Sequence, residues 1–224
     1  MQLLHYVCKK TTMKKNINHA TYKMKIFEEL VVEKEFEMPI IKVYDGEKPE
    51  RLMSFNKAIA KKQYDATVHF YINDKEFTRI LTYPEKYLEI LKKFKSVIAP
   101  DFSQYIEMPY PMKLYHCYLN KAFAAYWRKN GINVIPNITW STPDSYDYSF
   151  AGIEKNGIIA INCTGVKKSA YSKFLWLEGY KEAIKRLEPR HIIRYGEKMP
   201  GEFKEISTYF ENENYNLLNN GRKR

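Results

Sequence analysis

One aspartate in this sequence stands where a catalytic or ligand-binding carboxylate is expected. Asp101 directly follows the apolar run 97–100, and Ser103 comes two residues later. A carboxylate at the end of a buried strand can act as a general base, bind Mg²⁺ or hold a ribose hydroxyl. We therefore predict that Asp101 is the catalytic residue and that Ser103 contacts the ligand.

Three more apolar runs in the second half of the chain contain or end in polar residues. They lie within residues 134–139, 158–165 and 192–196. If the runs are neighbouring parallel strands, their polar ends meet at the carboxyl edge of one sheet, where α/β folds bind ligands. The predicted ligand-binding residues are Ser103, Asn137, Thr139, Asn162, Thr164, Gly165, Arg194 and Tyr195. Helix N-caps and Asx turns use many of the same residue types, so both interpretations stay open for the small polar residues.

The polar clusters match no known cofactor or metal motif. Residues 162–165 and 195–196 can offer backbone N–H groups to an anion, but neither segment is a phosphate-binding glycine loop. The five histidines lack the spacing of metal ligands, so we predict no metal site, and the cofactor stays unknown. The three cysteines are widely spaced with no C-x-x-C pair, which is typical of reduced thiols in the cytoplasm.

The elements that must position these residues alternate between strands and helices. The strand candidates are residues 39–44, 67–72, 96–100, 132–135, 158–161 and 191–195. Helical periodicity is strongest in residues 113–126 and 169–187. This alternation predicts a single α/β domain with a mainly parallel sheet of about six strands, flanked by helices. The sheet is either open or an incomplete barrel.

Three further segments carry weaker signals. Residues 52–62 have the apolar spacing of a short helix, and residues 140–149 are predicted to be a long loop. Asn156-Gly157 is a turn signal, which predicts that residues 150–155 form a hairpin with the following strand.

The positive charge of the chain is concentrated at its two ends. The net charge is +11, but residues 1–23 carry five lysines and no acid, and residues 222–224 are all basic. The segment between them has a net charge of only +3. We predict a basic flexible N-terminal arm at 1–25, an α/β domain at 26–208 and a polar and basic tail at 209–224. Basic arms of this kind can bind phosphate backbones.

Several motifs together resemble a known family of uncharacterised proteins. They are residues 97–103, 131–137, 150–153 and 195–196, within a matching stretch of about 39–201. The family is a domain of unknown function found in bacterial, archaeal and phage proteins. The resemblance implies a prokaryotic or phage setting and supplies no activity. No apolar stretch reaches the roughly 20 residues of a membrane span, so we predict a cytoplasmic protein, in a bacterium or a phage host, without a membrane partner.

Two hypotheses of different classes follow, and whether the protein is an enzyme stays open. The first is that the domain binds or processes a small anionic or nucleotide-like ligand at the carboxyl edge, with Asp101 as acid or base. The alternative is a non-enzymatic phage accessory protein that binds nucleic acid or a host protein. It would use the basic arms and exposed aromatics such as Trp140, Tyr146 and Tyr148. The oligomeric state is not indicated by the sequence.

Overall fold

The computed structural model describes residues 24–199 and 206–212, and in that part short strands alternate with helices. The strands are β1 (Leu52–Ser54), β2 (Thr67–His69), β3 (Ser96–Ile98), β4 (Val134–Ile135), β5 (Ile158–Asn162), β6 (His191–Gly196) and β7 (Ser207–Glu211). The helices are α1 (Met24–Phe27), α2 (Phe55–Lys61), α3 (Asp74–Phe77), α4 (Arg79–Thr82), α5 (Pro84–Leu91), α6 (Tyr110–Lys129), α7 (Tyr146–Phe150) and α8 (Ala170–Leu187). Two 3₁₀ turns, Pro143–Ser145 and Val166–Lys168, come before α7 and α8.

The strands lie side by side in chain order, and every pair is parallel. One ladder joins β1, β2, β3 and β4, and a second joins β5, β6 and β7. Two backbone hydrogen bonds connect the ladders. The Ile138 N–H donates to the Ala160 carbonyl at 2.9 Å, and the Ala160 N–H donates to the Pro136 carbonyl at 2.8 Å. The predicted α/β fold with a mainly parallel sheet is confirmed.

The sheet curves so strongly that its inner face encloses a core of its own. Side chains from β3 to β6 form most of this inner cluster, and Tyr44 and Tyr71, which lie outside the strands, complete it. Its strand members are Ile98, Ile135, Ile158, Ala160, Ile193 and Tyr195. The ring centroids of His69 on β2 and Tyr195 on β6 are 4.3 Å apart, although three strands separate β2 from β6 in the sheet. No ladder joins β1 to β7 among the described residues. Of the two predicted arrangements, the structure is therefore the incomplete barrel.

The outer face of the sheet packs against the helices and forms the larger core. Val68, Val97 and Val134 point outward from consecutive strands into this cluster, where they meet Phe123 and Trp127 of α6. The Ser169 side chain caps α8 by accepting a hydrogen bond from the Ser172 N–H at 2.9 Å.

Five of the six predicted strands are confirmed, namely β2 to β6. The prediction for residues 39–44 is wrong, because Pro39 and Ile41 form only isolated bridges, with Val32 and Ile153, and the segment belongs to neither ladder. The predicted helix over 52–62 begins only at Phe55, since its first three residues form β1. The predicted hairpin is also wrong, because Ile153 pairs in parallel with Ile41.

The ends of the predicted domain also differ from the structure. Residues 209–211 belong to β7 and pair with β6, so the tail that we expected from residue 209 begins with strand residues. Residues 1–23 and 213–224 lie outside the described residues, and with them most of both predicted arms. No helix in the described ranges is long and apolar enough to cross a membrane.

We expect Trp127→Ala to destabilise the domain by about 3–5 kcal/mol, because it leaves a large cavity at a fully buried position. Urea unfolding followed by far-UV circular dichroism measures this change. Tyr115→Ala is the control on the same helix, because Tyr115 is 56% exposed and its removal should cost under about 1 kcal/mol. Equal losses for the two variants would contradict the packing described above.

Candidate ligand-binding site

A cleft of about 430 Å³ opens at the carboxyl edge of the sheet, above the ends of β3, β4 and β5. Loops that follow these three strands supply most of its wall, and the first turns of α8 supply the rest. Its polar, charged and aromatic lining includes Asp101, Ser103, Gln104, Glu107, Thr139, Trp140, Asn162, Thr164, Lys168 and Trp176, and Gly165 lies among them. The position agrees with the expectation that parallel strands bring their polar ends to one edge.

The carboxylate of Asp101 lies on the cleft wall between two asparagine side chains. The Asn137 amide donates to Oδ1 of Asp101 at 2.9 Å, and the Asn162 amide donates to Oδ2 at 2.8 Å. Asp101 is half-buried, so each oxygen has a protein donor while the residue still borders the cleft. Three residues predicted from separate strands are thus brought together at one carboxylate.

Each of these two asparagines is oriented by a separate donor. The Tyr71 hydroxyl donates to Oδ1 of Asn137 at 3.0 Å, and the backbone N–H of Thr164 donates to Oδ1 of Asn162 at 2.8 Å. With both amide oxygens occupied in this way, both NH₂ groups face Asp101. The arrangement presents Asp101 with donors on both sides, which suits an ionised carboxylate.

The surroundings of Asp101 raise its pKa from 3.8 to about 6. Burial is the largest cause, because it penalises the charged form, and the nearby negative charge of Asp74 adds to it. The hydrogen bonds from Asn137 and Asn162 act in the opposite direction and lower the pKa. A carboxyl group that titrates near neutral pH can accept or release a proton under ordinary conditions.

Other predicted residues lie around the cleft, and several already have protein partners. The backbone N–H and hydroxyl of Ser103 both donate to the Asp74 carboxylate, at 3.0 and 2.9 Å. Thr139 accepts a hydrogen bond from the Gln104 amide at 2.7 Å. Thr164 and Gly165 line the opposite side. Ser103 and Thr139 therefore help to hold the loops in place, whatever they contact in a ligand.

Two of the predicted ligand contacts lie away from the cleft. Successive side chains of a strand point to opposite faces, and Ile193 and Tyr195 belong to the inner cluster of the barrel. Tyr195 stacks on Tyr71 there, with 5.0 Å between the ring centroids. Arg194 consequently points outward toward the helix layer and is buried. Neither Arg194 nor Tyr195 lines the cleft, which corrects their assignment as ligand contacts, and the buried Asn137 does not line it either but contacts Asp101.

Sequence reasoning missed the aromatic wall of the cleft. Trp176 donates its indole N–H to the Asn162 carbonyl at 3.0 Å, and Trp140 donates to the Leu175 carbonyl at 3.3 Å. Trp140 rests directly on the α8 backbone at Gly179, where an added Cβ would overlap its indole ring. Trp176 lies in the segment predicted to be helical over 169–187, and Trp140 lies in the segment predicted to be a loop, so neither prediction indicates a shared wall.

The aromatics that we expected on an exposed binding surface are mostly packed into the fold. Tyr148 is fully buried and Tyr146 packs against Phe150, at 5.7 Å between centroids. The segment predicted as a loop instead forms the 3₁₀ turn and α7, which turns these side chains inward. The aromatic part of the nucleic-acid hypothesis is therefore wrong for Tyr148, while the basic arms stay a prediction.

Comparison with known proteins places the chain in a family. A family model described as a domain of unknown function, DUF4417, matches residues 30–213. The chain belongs to this family. Relatives of this DUF4417 chain include the Gene 1 protein of Mycobacterium phage L5, 34% identical over 130 residues, which are 58% of this chain and 57% of the relative. The Gene 1 protein of Mycobacterium phage D29 is 31% identical over 151 residues, or 64% and 56% of the two chains.

The DUF4417 chain thus spans less than three fifths of the length of these phage relatives. No solved structure matches it. The resemblance to a domain of unknown function with phage members is confirmed, and the family assigns no activity to the cleft.

We expect the titration of Asp101 to contribute a fall in the unfolding free energy of the DUF4417 protein as the pH rises from 4.5 to 7.5. The folded-state pKa of Asp101 lies above its ordinary value, so between about pH 4 and 6 the folded protein binds more protons than the unfolded chain. The titration of Asp101 alone should lower the unfolding free energy by about 2 kcal/mol between pH 4.5 and 7.5. Urea titrations of wild type and Asp101→Ala at both pH values measure the difference.

Asp101→Ala should lack this component of the pH dependence, and Asp65→Ala, which removes an exposed carboxylate, should keep it. The same pH slope in wild type and Asp101→Ala would show that Asp101 titrates at an ordinary pKa.

Proposed function

We propose that the domain binds a small nucleotide-like ligand in the cleft at the carboxyl edge, with Asp101 accepting an N–H or O–H group of the ligand. The observation that carries this proposal is the carboxylate held between Asn137 and Asn162 at the border of an open cleft. Each carboxylate oxygen has accepted one amide hydrogen bond and has a further lone pair for a ligand donor.

The charges of the cleft support a ligand with two chemically different ends. Asp101 and Glu107 are acidic, and Lys168 alone is basic among the described residues that line the cleft. Lys168 lies beside Gly165, since a Cβ on Gly165 would come within 3.6 Å of its Nζ. An anionic group such as a phosphate fits beside Lys168, whereas the donor-bearing part of the ligand fits beside Asp101.

The polar and aromatic wall supports a ring-bearing ligand of modest size. Trp140 and Trp176 supply indole surface, with 6.1 Å between their ring centroids, and Gln104, Thr139 and Thr164 supply hydrogen-bonding groups. A volume of about 430 Å³ lies in the range of small-molecule sites. If the bound ligand reacts, Asp101 is the group placed to remove a proton from it.

A thermal-shift screen tests the proposal with nucleosides, nucleoside mono-, di- and triphosphates and pentose phosphates, each with and without Mg²⁺. A ligand at one hundred times its Kd stabilises the folded state by about 2.7 kcal/mol, because it binds only that state. For a chain of this size the melting temperature should rise by about 5–10 °C.

Asp101→Ala should abolish the shift, and Lys168→Ala should reduce it for the phosphorylated ligands alone. Asp65→Ala and Lys93→Ala are the matched controls, because both residues are exposed and lie outside the cleft. A screen with no shift in wild type would refute the proposal, as would a shift that persists in Asp101→Ala.

A further inference from the structure

The barrel interior and the cleft share one hydrogen-bonded connection, through Tyr71. Its side chain belongs to the inner cluster, while its hydroxyl donates to Oδ1 of Asn137 at 3.0 Å. The Asn137 amide in turn donates to Asp101 at 2.9 Å and to the Pro100 carbonyl at 3.0 Å. Tyr71 is 6% exposed and does not line the cleft, so it cannot be a ligand contact.

The geometry points to Tyr71 as a positioning residue, whose hydroxyl fixes the orientation of the Asn137 amide and so keeps Asp101 a hydrogen-bond acceptor. An asparagine amide can rotate to exchange its oxygen and nitrogen, and the rotated form would turn Oδ1 toward Asp101. An oxygen in that position accepts a hydrogen bond only from a protonated carboxyl group. Tyr71 opposes this rotation because its O–H finds its acceptor where Oδ1 of Asn137 now lies, and the Pro100 carbonyl, which accepts from the Asn137 NH₂, acts in the same direction.

The packing around Tyr71 suits a fixed donor. Its ring stacks on Tyr195 at 5.0 Å and on His69 at 5.2 Å, which holds the hydroxyl in place below Asn137. Burial raises the pKa of Tyr71 well above its ordinary value, and the charge of Asp101 adds to this effect. The hydroxyl therefore keeps its proton over the pH range in which Asp101 titrates.

Other titratable groups lie around Asp101 and Tyr71, and among them Asp74 is the group whose charge raises the pKa of Asp101. They come from the loop after β2 and α3, the ends of β5 and β6, and the cleft wall, and they are Asp74, Cys163, Tyr195, Glu107 and Lys168. None of these groups is changed by Tyr71→Phe, so a shift in that variant reports the loss of the hydroxyl.

The test is the pKa of Asp101, measured from the ¹³C chemical shift of its carboxyl carbon in protein labelled at aspartate. In Tyr71→Phe the Pro100 carbonyl is the remaining partner that opposes rotation of the Asn137 amide, so the rotated form becomes more accessible and the protonated form of Asp101 gains a partner. We expect the pKa to rise by about 0.5–1 unit, the value of one hydrogen bond. Tyr87→Phe is the control, because it removes the hydroxyl of a buried tyrosine in the outer core and should leave the pKa unchanged.

An unchanged pKa in Tyr71→Phe, or equal shifts in both variants, would overturn the assignment. A measurement on the wild type keeps the test independent of the folding of Tyr71→Phe. The chemical shifts of the Asn137 side-chain amide protons should change with pH at the same midpoint as the chemical shift of the Asp101 carboxyl carbon. Amide shifts that do not respond to pH would also overturn the assignment.

This inference rests on the proposed function for the role of Asp101 toward a ligand, but its test needs no ligand. A raised pKa of Asp101 in the Tyr71→Phe variant, together with no hit in the thermal screen, would support the positioning role and refute the proposed function. Conversely, a ligand whose binding is lost in Asp101→Ala, together with an unchanged pKa of Asp101 in Tyr71→Phe, would support the proposed function and overturn the positioning role.

Discussion

Two backbone hydrogen bonds between the segment that follows β4 and the middle of β5 hold the rest of the structure in register. They join Ile138 and Pro136 to Ala160, and so make one curved sheet from two ladders. Because the register is fixed there, Asn137 and Asn162 come to lie on either side of Asp101. The cleft is therefore a product of strand pairing, and its three central residues need no further element to bring them together.

The sequence was most informative where a physical constraint left one arrangement. The short runs rich in isoleucine at residues 158–161 and 191–195 are typical of buried strands, and parallel pairing then predicts Asn162 near Asp101. The sequence was least informative about which face of the sheet each residue of a strand occupies. Arg194 and Tyr195 were predicted for the cleft because they lie near a strand end, but the register that sends them elsewhere depends on tertiary pairing.

Other errors have the same origin in long-range contacts. Strand β1 has only three residues, and its pairing with β2 overrides the helical periodicity that Leu52 and its neighbours share with α2. Strand β7 carries Tyr209 and Phe210 in a polar region and is held by β6. Lys121 shows the same dependence on tertiary contacts, since a lysine on a helix is normally exposed. Here it is buried and donates to the carbonyls of Tyr148, within α7, and of Ala151, which follows the helix.

The contact between Trp140 and Gly179 determines how the cleft can respond to a ligand. With no side chain at Gly179, the indole lies on the backbone of an eighteen-residue helix that is packed into the main core. The wall can then move only if α8 moves, which would disturb many buried contacts. Such a site is formed before the ligand arrives, so little conformational entropy is lost on binding. Selection of ligands by shape, with little adaptation of the protein, is the behaviour that this wall favours.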